Sequence, residues 1–525
     1  MHDDRRAAGG RLVLTEQGKQ IRREEQAGRQ RRVADNRRAL PAIGMEAEFS
    51  TVVDNELQEP EKVFGSPRRF IRGPLVHRTG RSYHLPTGGA IYFDTGVMEI
   101  ATPMIEIERG CGARATRSLW ENLGFLRGEL DEWERGTGRQ VRLVGFSTHY
   151  NVSFDLPESE RAKGRSVERL AYLLTYVLAA PVMLLAANRR STGVGVRPRG
   201  NRIEITADFT PDAALMAATA TLIVGIVRDV MTWPRYDLRQ LAMHDIPVVQ
   251  GFAPVPHSSR KGWVAKHDCF PRNPFTADVD GDRFTSLGGE HLSLREMAGR
   301  TARQFWPSIS ALGDPLSLRL IAAVMRGRAP SLLELDDRPA AYDDVGRLCT
   351  WNDLFPVTLL PRSRFERVLS NAITGKRVRF AGAWHKPVGM RGWTHVVFRR
   401  ESDGKRAVRS LDALLTHLDA WDRSSERRSG DRRGVASARD AERRLGERRT
   451  SLTEAPEQPP EGEQPLEAGT STGDRPPVPE RKAAGDVEVA PQRTPGIADV
   501  SASAVARAAA RARTDAPLVI VSRTS

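Results

Sequence analysis

Apolar and polar residues alternate with a period of two in four stretches of the chain, and recur at helical spacing between them. Ala42–Val53, Val141–Phe154 and Arg202–Phe209 read as strands, and Ala90–Thr102 as a further strand or bent strand pair. Ala115–Trp133 places Leu119, Leu123, Leu126, Leu130 and Trp133 on one helical stripe. A long helix is predicted over about Ser166–Ala187, and another from the stop at Thr210-Pro211-Asp212 to about Met231. Beyond it, His244–Phe284 is irregular, and so long a connection usually carries function or a small element of its own. Helical patterns return at Leu294–Trp306 and Pro315–Arg326. An apolar, Trp-containing stretch spans Asn352–Arg399, and Leu411–Trp421 reads as a last helix.

Leu170–Ala187 runs 18 residues without a charge, which reaches the nominal length of a membrane span. Pro181, Thr175 and two tyrosines lie within that run, and a charged, alternating strand separates it from the next apolar segment, Ala213–Val227. Buried helices flanking a sheet account for that order better than a membrane hairpin.

Composition changes the picture at the two ends. Residues 1–40 carry 11 basic against 6 acidic side chains, and residues 426–449 carry 9 against 5. ERRSGDRR at 426–433 recurs as ERRLGERR at 442–449, which reads as a solvated mixed-charge linker or a contact for an acidic partner. The Pro-rich stretch after it holds few aliphatic residues, which predicts disorder. Cys111, Cys269 and Cys349 are far apart with no CxxC pair, against a disulfide scaffold or a structural zinc site. The N-terminus lacks the apolar run of a secretory signal, and a reducing cytoplasm is the expected location.

The candidate chemistry lies on strands whose one face is apolar and whose other face is charged. Glu46 and Glu48 are two apart and share a face. So do His149, Asn151 and Ser153, and so do Arg202, Glu204 and Thr206. Asp94 and Glu99 interrupt an otherwise apolar stretch. Carboxylates crowded on one face raise one another's pKa and repel. A divalent cation with oxygen ligands, Mg²⁺ or Mn²⁺, removes that penalty, and such sites combine carboxylates with substrate phosphates. A wet face of ordinary cross-strand pairs is the alternative for any one pair, and the four segments together argue against it.

These segments resemble a known superfamily. Gly44-Met-Glu-Ala-Glu-Phe49 looks like the first-strand G-x-E-x-E-[FY] of the glutamine synthetase-like carboxylate–amine ligases. His149-x-Asn151-x-Ser153 resembles the H-x-N-x-S strand of glutamine synthetases, and Arg202-x-Glu204 the R-x-E of the same superfamily. Glu99-Ile-Ala-Thr-Pro103 is similar to a segment of the bacterial glutamate–cysteine ligase type 2 group, whose order of elements is followed from about 42 to 231. Tyr92-x-Asp94…Glu99 also resembles ligases and deamidases that act on the prokaryotic ubiquitin-like protein Pup.

The resemblance implies an α+β fold, a glutamine synthetase-like curved antiparallel sheet backed by helices, with disordered N- and C-terminal extensions. Residues 1–40 would be an Arg-rich disordered or helical extension, 41–421 the catalytic domain with 232–421 unplaced, and 422–525 a disordered tail. It also implies ATP and Mg²⁺ or Mn²⁺ as cofactors, with Glu46, Glu48, Glu99, His149 and Glu204 as metal ligands. Asn151 and Ser153 would face the nucleotide, Arg202 a phosphate, and Asp94 would position or deprotonate the nucleophile. The superfamily continues R-x-E-x-R, whereas this chain has Thr206 at the last position. Arg197 or Arg199, in the Gly-rich, basic segment Ser191–Gly200, would substitute there and reach ATP, unless that segment is a plain helix–strand connection.

The implied reaction joins a small-molecule carboxylate, glutamate among the candidates, to an amine through an acyl phosphate. A Pup-type ligase or deamidase with a protein substrate is the alternative enzyme. A basic protein that binds nucleic acid or another partner on the same fold without catalysis is a third reading. No membrane partner is expected. Nor is nucleic acid, because residues 41–425 retain a surplus of basic residues that suits ATP and carboxylate.

Overall fold

The structure, a computed structural model, describes residues 40–335 and 361–422 except 157, 162 and 258–260. All but residues 40 and 422 of the expected extensions 1–40 and 422–525, the arginine-rich repeat and Cys349 lie outside the described residues.

The period-two segments become the middle of one large sheet. Its strands are β1 (Ala42–Val53), β2 (Glu56–Gln58), β3 (Val76–Thr79), β4 (Ser82–His84), β5 (Ala90–Asp94), β6 (Val97–Ala101) and β7 (Ile105–Glu106). It continues with β8 (Val141–Ser153), β9 (Val194–Arg199), β10 (Arg202–Asp208), β11 (Val255–Pro256) and β12 (Trp263–Ala265). The order is β11-β12-β9-β10-β8-β1-β6-β5-β4-β3, with β2 and β7 paired to the ends of β1. Every recorded pairing is antiparallel, so the chain has the expected α+β class. The expected bent strand is the hairpin β5–β6, turned at Thr95-Gly96, where both residues have positive φ (55° and 88°).

Alternation along β1 buries Ile43, Met45, Ala47 and Phe49 completely and leaves Glu46 and Glu48 on the other side. The β1–β8 register shifts after Glu48, so that Glu48 opposes Ser147 and Phe49 opposes Gly145. This bulge keeps Ser147, His149, Asn151 and Ser153 on the charged face. Gly145 is required there, because a Cβ would sit 2.6 Å from the Phe209 ring, which packs edge-on against Phe49.

Three helices cover the apolar face. Cys111–Thr137 carries the predicted leucine stripe and ends at Gly138 in the left-handed region (φ 72°). Val167–Ala186 starts at Ser166, whose hydroxyl accepts from the Arg169 N–H, and Ala213–Val230 starts at Asp212, which accepts from Leu215. Both of these helices are long and apolar enough to cross a membrane, and both are mostly buried inside the protein. Their Leu, Ile and Val side chains belong to the main core, each worth roughly 1.5–3 kcal/mol of burial.

A second core follows in the chain. The helix Arg364–Ile373, the four-stranded sheet β15 (Val378–Phe380), β16 (Ala383–Arg391), β17 (His395–Arg400) and β18 (Arg406–Ser410), and the helix Leu411–Leu415 enclose Phe365, Phe398, Leu414 and Trp421. A separate hairpin joins β13 (Arg283–Thr285) to β14 (His291–Ser293). The second core is attached to the large sheet through Ala42, and through buried Glu106, which accepts from the Phe365 N–H at 2.8 Å. Charge divides with the cores. Residues 41–361 hold 38 basic and 38 acidic side chains, whereas residues 362–422 hold 13 basic against 6 acidic. The surplus that the sequence reading assigned to the whole of 41–425 therefore lies on the second layer and after it.

One buried carboxylate marks the end of β10. Asp208 accepts from the Asn188 N–H at 2.8 Å and the Ser191 hydroxyl at 3.1 Å. Burial nevertheless pushes it up from 3.8 to about 7, with those hydrogen bonds opposing. The folded state therefore favours the protonated form. Its contribution is fully present below about pH 4 and is lost as pH rises to about 7. Asp208→Asn is expected to match the native protein's stability near pH 4 and to exceed it by about 3–4 kcal/mol at pH 8. Urea melts at the two pH values test this, and an equal difference at both would refute it.

Candidate active site

The sheet registers bring the predicted side chains into adjoining rows on the face away from the helices. Glu46 on β1 stands opposite His149 on β8, which in turn stands opposite Thr206 on β10. In the next row Ser147, Glu48, Glu99 and Tyr92 follow one another across β8, β1, β6 and β5. In the row on the other side Asn151 opposes Glu204, which opposes Arg197 on β9.

These rows place one ligand atom each of Glu46, His149 and Glu204 within 4.8 Å of one another. His149 Nδ1 lies 3.6 Å from Glu46 Oε2, and its Nε2 lies 3.5 Å from Glu48 Oε1. The Ser147 hydroxyl donates to Glu48 Oε2 at 2.6 Å. Glu204 is completely buried and ion-paired to both Arg197 and Arg199, the latter at 2.7 Å. The Arg202 Nε donates to Asn151 Oδ1 at 2.7 Å.

The electrostatics follow from this crowding. Burial would raise Glu46, but the hydrogen bond and charge of His149, with Arg202 and Arg199 behind it, hold it down at about 2. Burial likewise opposes the charged forms of His149 and Glu204. The carboxylates around His149 raise it regardless, while His149, Arg197 and Arg199 lower Glu204. Glu99 moves the other way: burial and the charges of Glu48 and Glu46 keep its proton on, against a hydrogen bond from Tyr92. The carboxylates thus favour the charged form of His149, and the arginines add positive charge beside them. Carboxylate oxygens with one imidazole form a donor set that could hold a divalent cation.

The remaining predicted residues are placed as follows. Arg197 and Arg199 belong to strand β9 rather than to a loop, because Val194 and Val196 alternate with them and pair with β10. Their guanidinium groups are engaged by Glu204. Ser153 lies at the far end of the polar face, where its hydroxyl accepts from the Ala42 N–H at 3.0 Å. Asp94 is at the exposed end of the β5–β6 hairpin, two residues beyond Tyr92, and accepts from the Thr95 hydroxyl at 2.8 Å.

Four residues at the site were not singled out as candidates. Ser147 follows the same period-two spacing as His149 and was legible from it. Arg78 donates to the Ser82 hydroxyl at 2.7 Å and lies over the rings of Tyr92 and Trp393, at 5.1 and 4.9 Å from their centroids. The charges of Tyr92, Glu46 and Glu99 reach it and oppose the effect of its burial. Trp393 comes from the second layer, edge-on to buried His84, whose Nε2 is 3.3 Å from the Gly392 carbonyl. Burial drives His84 down to about 4, so it is neutral at physiological pH. The short strand β3 and a contact more than 300 residues apart leave no periodic signal for Arg78 or Trp393.

No known family profile and no curated protein matches the chain. Among solved structures, it is similar to the crystal structure of the complex between Prokaryotic Ubiquitin-like Protein Pup and its ligase PafA. That similarity has a TM-score of 0.39 and 9% identity, over 74% of this chain and 92% of that chain.

Proposed function

We propose that the chain is an ATP-dependent carboxylate–amine ligase. The observation that carries this reading is the meeting of Glu46, His149 and Glu204 on one sheet face, with Glu48 and Glu99 beside them. Three strands far apart in sequence supply a metal-grade donor set there, in the order that resembles the superfamily. Glu46, Glu48, Glu99, His149 and Glu204 would hold Mg²⁺ or Mn²⁺, which neutralises charge on the β- and γ-phosphates of ATP. Arg202 and Arg199 border the cluster and offer guanidinium groups to the γ-phosphoryl group in transfer. A substrate carboxylate oxygen bonds to the γ-phosphorus as ADP leaves, giving an acyl phosphate. The amine nitrogen then bonds to the acyl carbon, inorganic phosphate leaves, and the amine loses a proton. Thr206 stands where the superfamily carries a second arginine. On the neighbouring strand Gly195 faces Thr206, while Arg197 and Arg199 face Glu204 and Arg202, so they would have to serve in its place from further along the strand.

A second reading takes a protein as the substrate, with ligation or deamidation of Pup type. It rests on the Tyr92–Glu99 hydrogen bond and on Asp94 at an exposed hairpin end of the same face. Both readings are tested with the full chain, Mg²⁺ or Mn²⁺ and ATP. A rise in melting temperature with metal–ATP is expected, as is phosphate release that requires an added carboxylate and amine. Release with free amino acids favours the first reading, and release only with a lysine-containing protein favours the second. Absence of both the thermal shift and phosphate release at millimolar metal–ATP would remove the proposal.

A further inference from the structure

The large sheet puts its charge to use in a balanced cluster, but the small sheet does not. One face of β15–β18 presents Phe398 to the core with Phe365, Leu414 and Trp421. On the other face Lys386 stands directly opposite Arg399, and Arg399 directly opposite Arg406. All three are exposed, and none makes an ion pair among the described residues. Exposed Arg379 on β15 stands opposite Trp384, the residue two before Lys386 on the same face. Arg377 lies over the Trp384 ring at 4.8 Å from its centroid. Val388 and Val408, 46% and 37% exposed, lie between and beside these cations. Like charges placed directly across strands destabilise a sheet. Three in one row, in a layer with 13 basic against 6 acidic residues, repel one another, and a bound anion would relieve that repulsion.

We infer that the outer face of this small sheet binds single-stranded nucleic acid, with the Lys386–Arg399–Arg406 row on the phosphates and Trp384 as a stacking platform for a base. The row repeats at the interstrand spacing of about 4.8 Å, so it spans roughly 10 Å, the reach of two to three successive phosphates of an extended strand. A single strand also offers an accessible base to an aromatic ring, as a duplex does not. The same combination separates the proposed ligand from an acidic polypeptide, which would satisfy the cations but make no use of Trp384. The surface is independent of the carboxylate cluster, so the inference does not rest on the proposed reaction.

The test uses the full chain and a fluorescein-labelled 20-nucleotide oligouridylate, with poly-L-glutamate of equal length and a 20-base-pair DNA duplex as competitors. The triple variant Lys386→Gln, Arg399→Gln, Arg406→Gln is compared with the native protein between 50 and 200 mM NaCl. Arginine-rich segments at the chain ends contribute equally to both, so the difference reports on the sheet. Loss of three phosphate contacts is expected to reduce the slope of log K against log[salt] by about 2. Trp384→Ala is expected to weaken binding about tenfold with the slope unchanged. An unchanged melting transition serves as the control that both variants remain folded. Equal binding and slope for native and triple-variant proteins would overturn the inference. So would competition by poly-L-glutamate or duplex as strong as by unlabelled oligouridylate.

Discussion

Glu204→Ala is expected to destabilise the folded protein by about 3–5 kcal/mol, the usual cost of stranding a buried charge. Glu204 is fully buried, and its two oxygens face Arg197, itself almost completely buried, and Arg199. Removing it takes away the buried carboxylate that both guanidinium groups pair with. Glu204→Gln keeps an acceptor for one arginine and is expected to cost about half as much. Urea unfolding of the three proteins measures both differences, and an alanine variant within 1 kcal/mol of the native protein would show that the pair is not structural. Loss of turnover in Glu204→Ala alone is therefore weak evidence of a catalytic role.

Glu46→Ala separates chemistry from stability. Glu46 is only partly buried, and it belongs to a group of carboxylates that repel one another. His149 retains Glu48 and Glu204 when Glu46 is gone. The favourable charges of His149 and the arginines that hold Glu46 down are lost with it, so a loss of about 1–3 kcal/mol is expected, whereas on the proposed reaction metal-dependent ATP turnover falls at least about 10³-fold. Phosphate release and a metal–ATP thermal shift on the same preparation decide the matter. A variant that keeps native phosphate release would show that the cluster is not where nucleotide is turned over.

The sequence was most informative where one physical pattern dominated. Alternation in β1, in β10 and in β8 from Ser147 onward exposed the charged face, because each strand turns its other face to apolar helices. Glu46, Glu48, His149 and Glu204 were therefore legible together before any contact was known. The pattern failed where side chains served two purposes. Arg197 and Arg199 read as a basic loop, since two arginines beside Pro198 obscure a strand whose pairing with Glu204 is visible only in three dimensions. The second core was hidden for a related reason. Its strands are as short as three residues, its outer positions are Arg and Lys, and β16 is irregular between Pro387 and Gly389. Net charge taken over 41–425 blended a neutral region with a basic one, and so did not show that the surplus lies after residue 361.

The contact of Trp393 with Arg78 also has a consequence for synthesis. Residues from β3 and β5 emerge from the ribosome early, but the indole that lies against them comes some 300 residues later. The second core that presents it closes on Trp421. A growing chain thus displays the carboxylate strands well before it owns this corner of the site. Chains released prematurely, anywhere ahead of residue 393, would carry the charged face without its final wall.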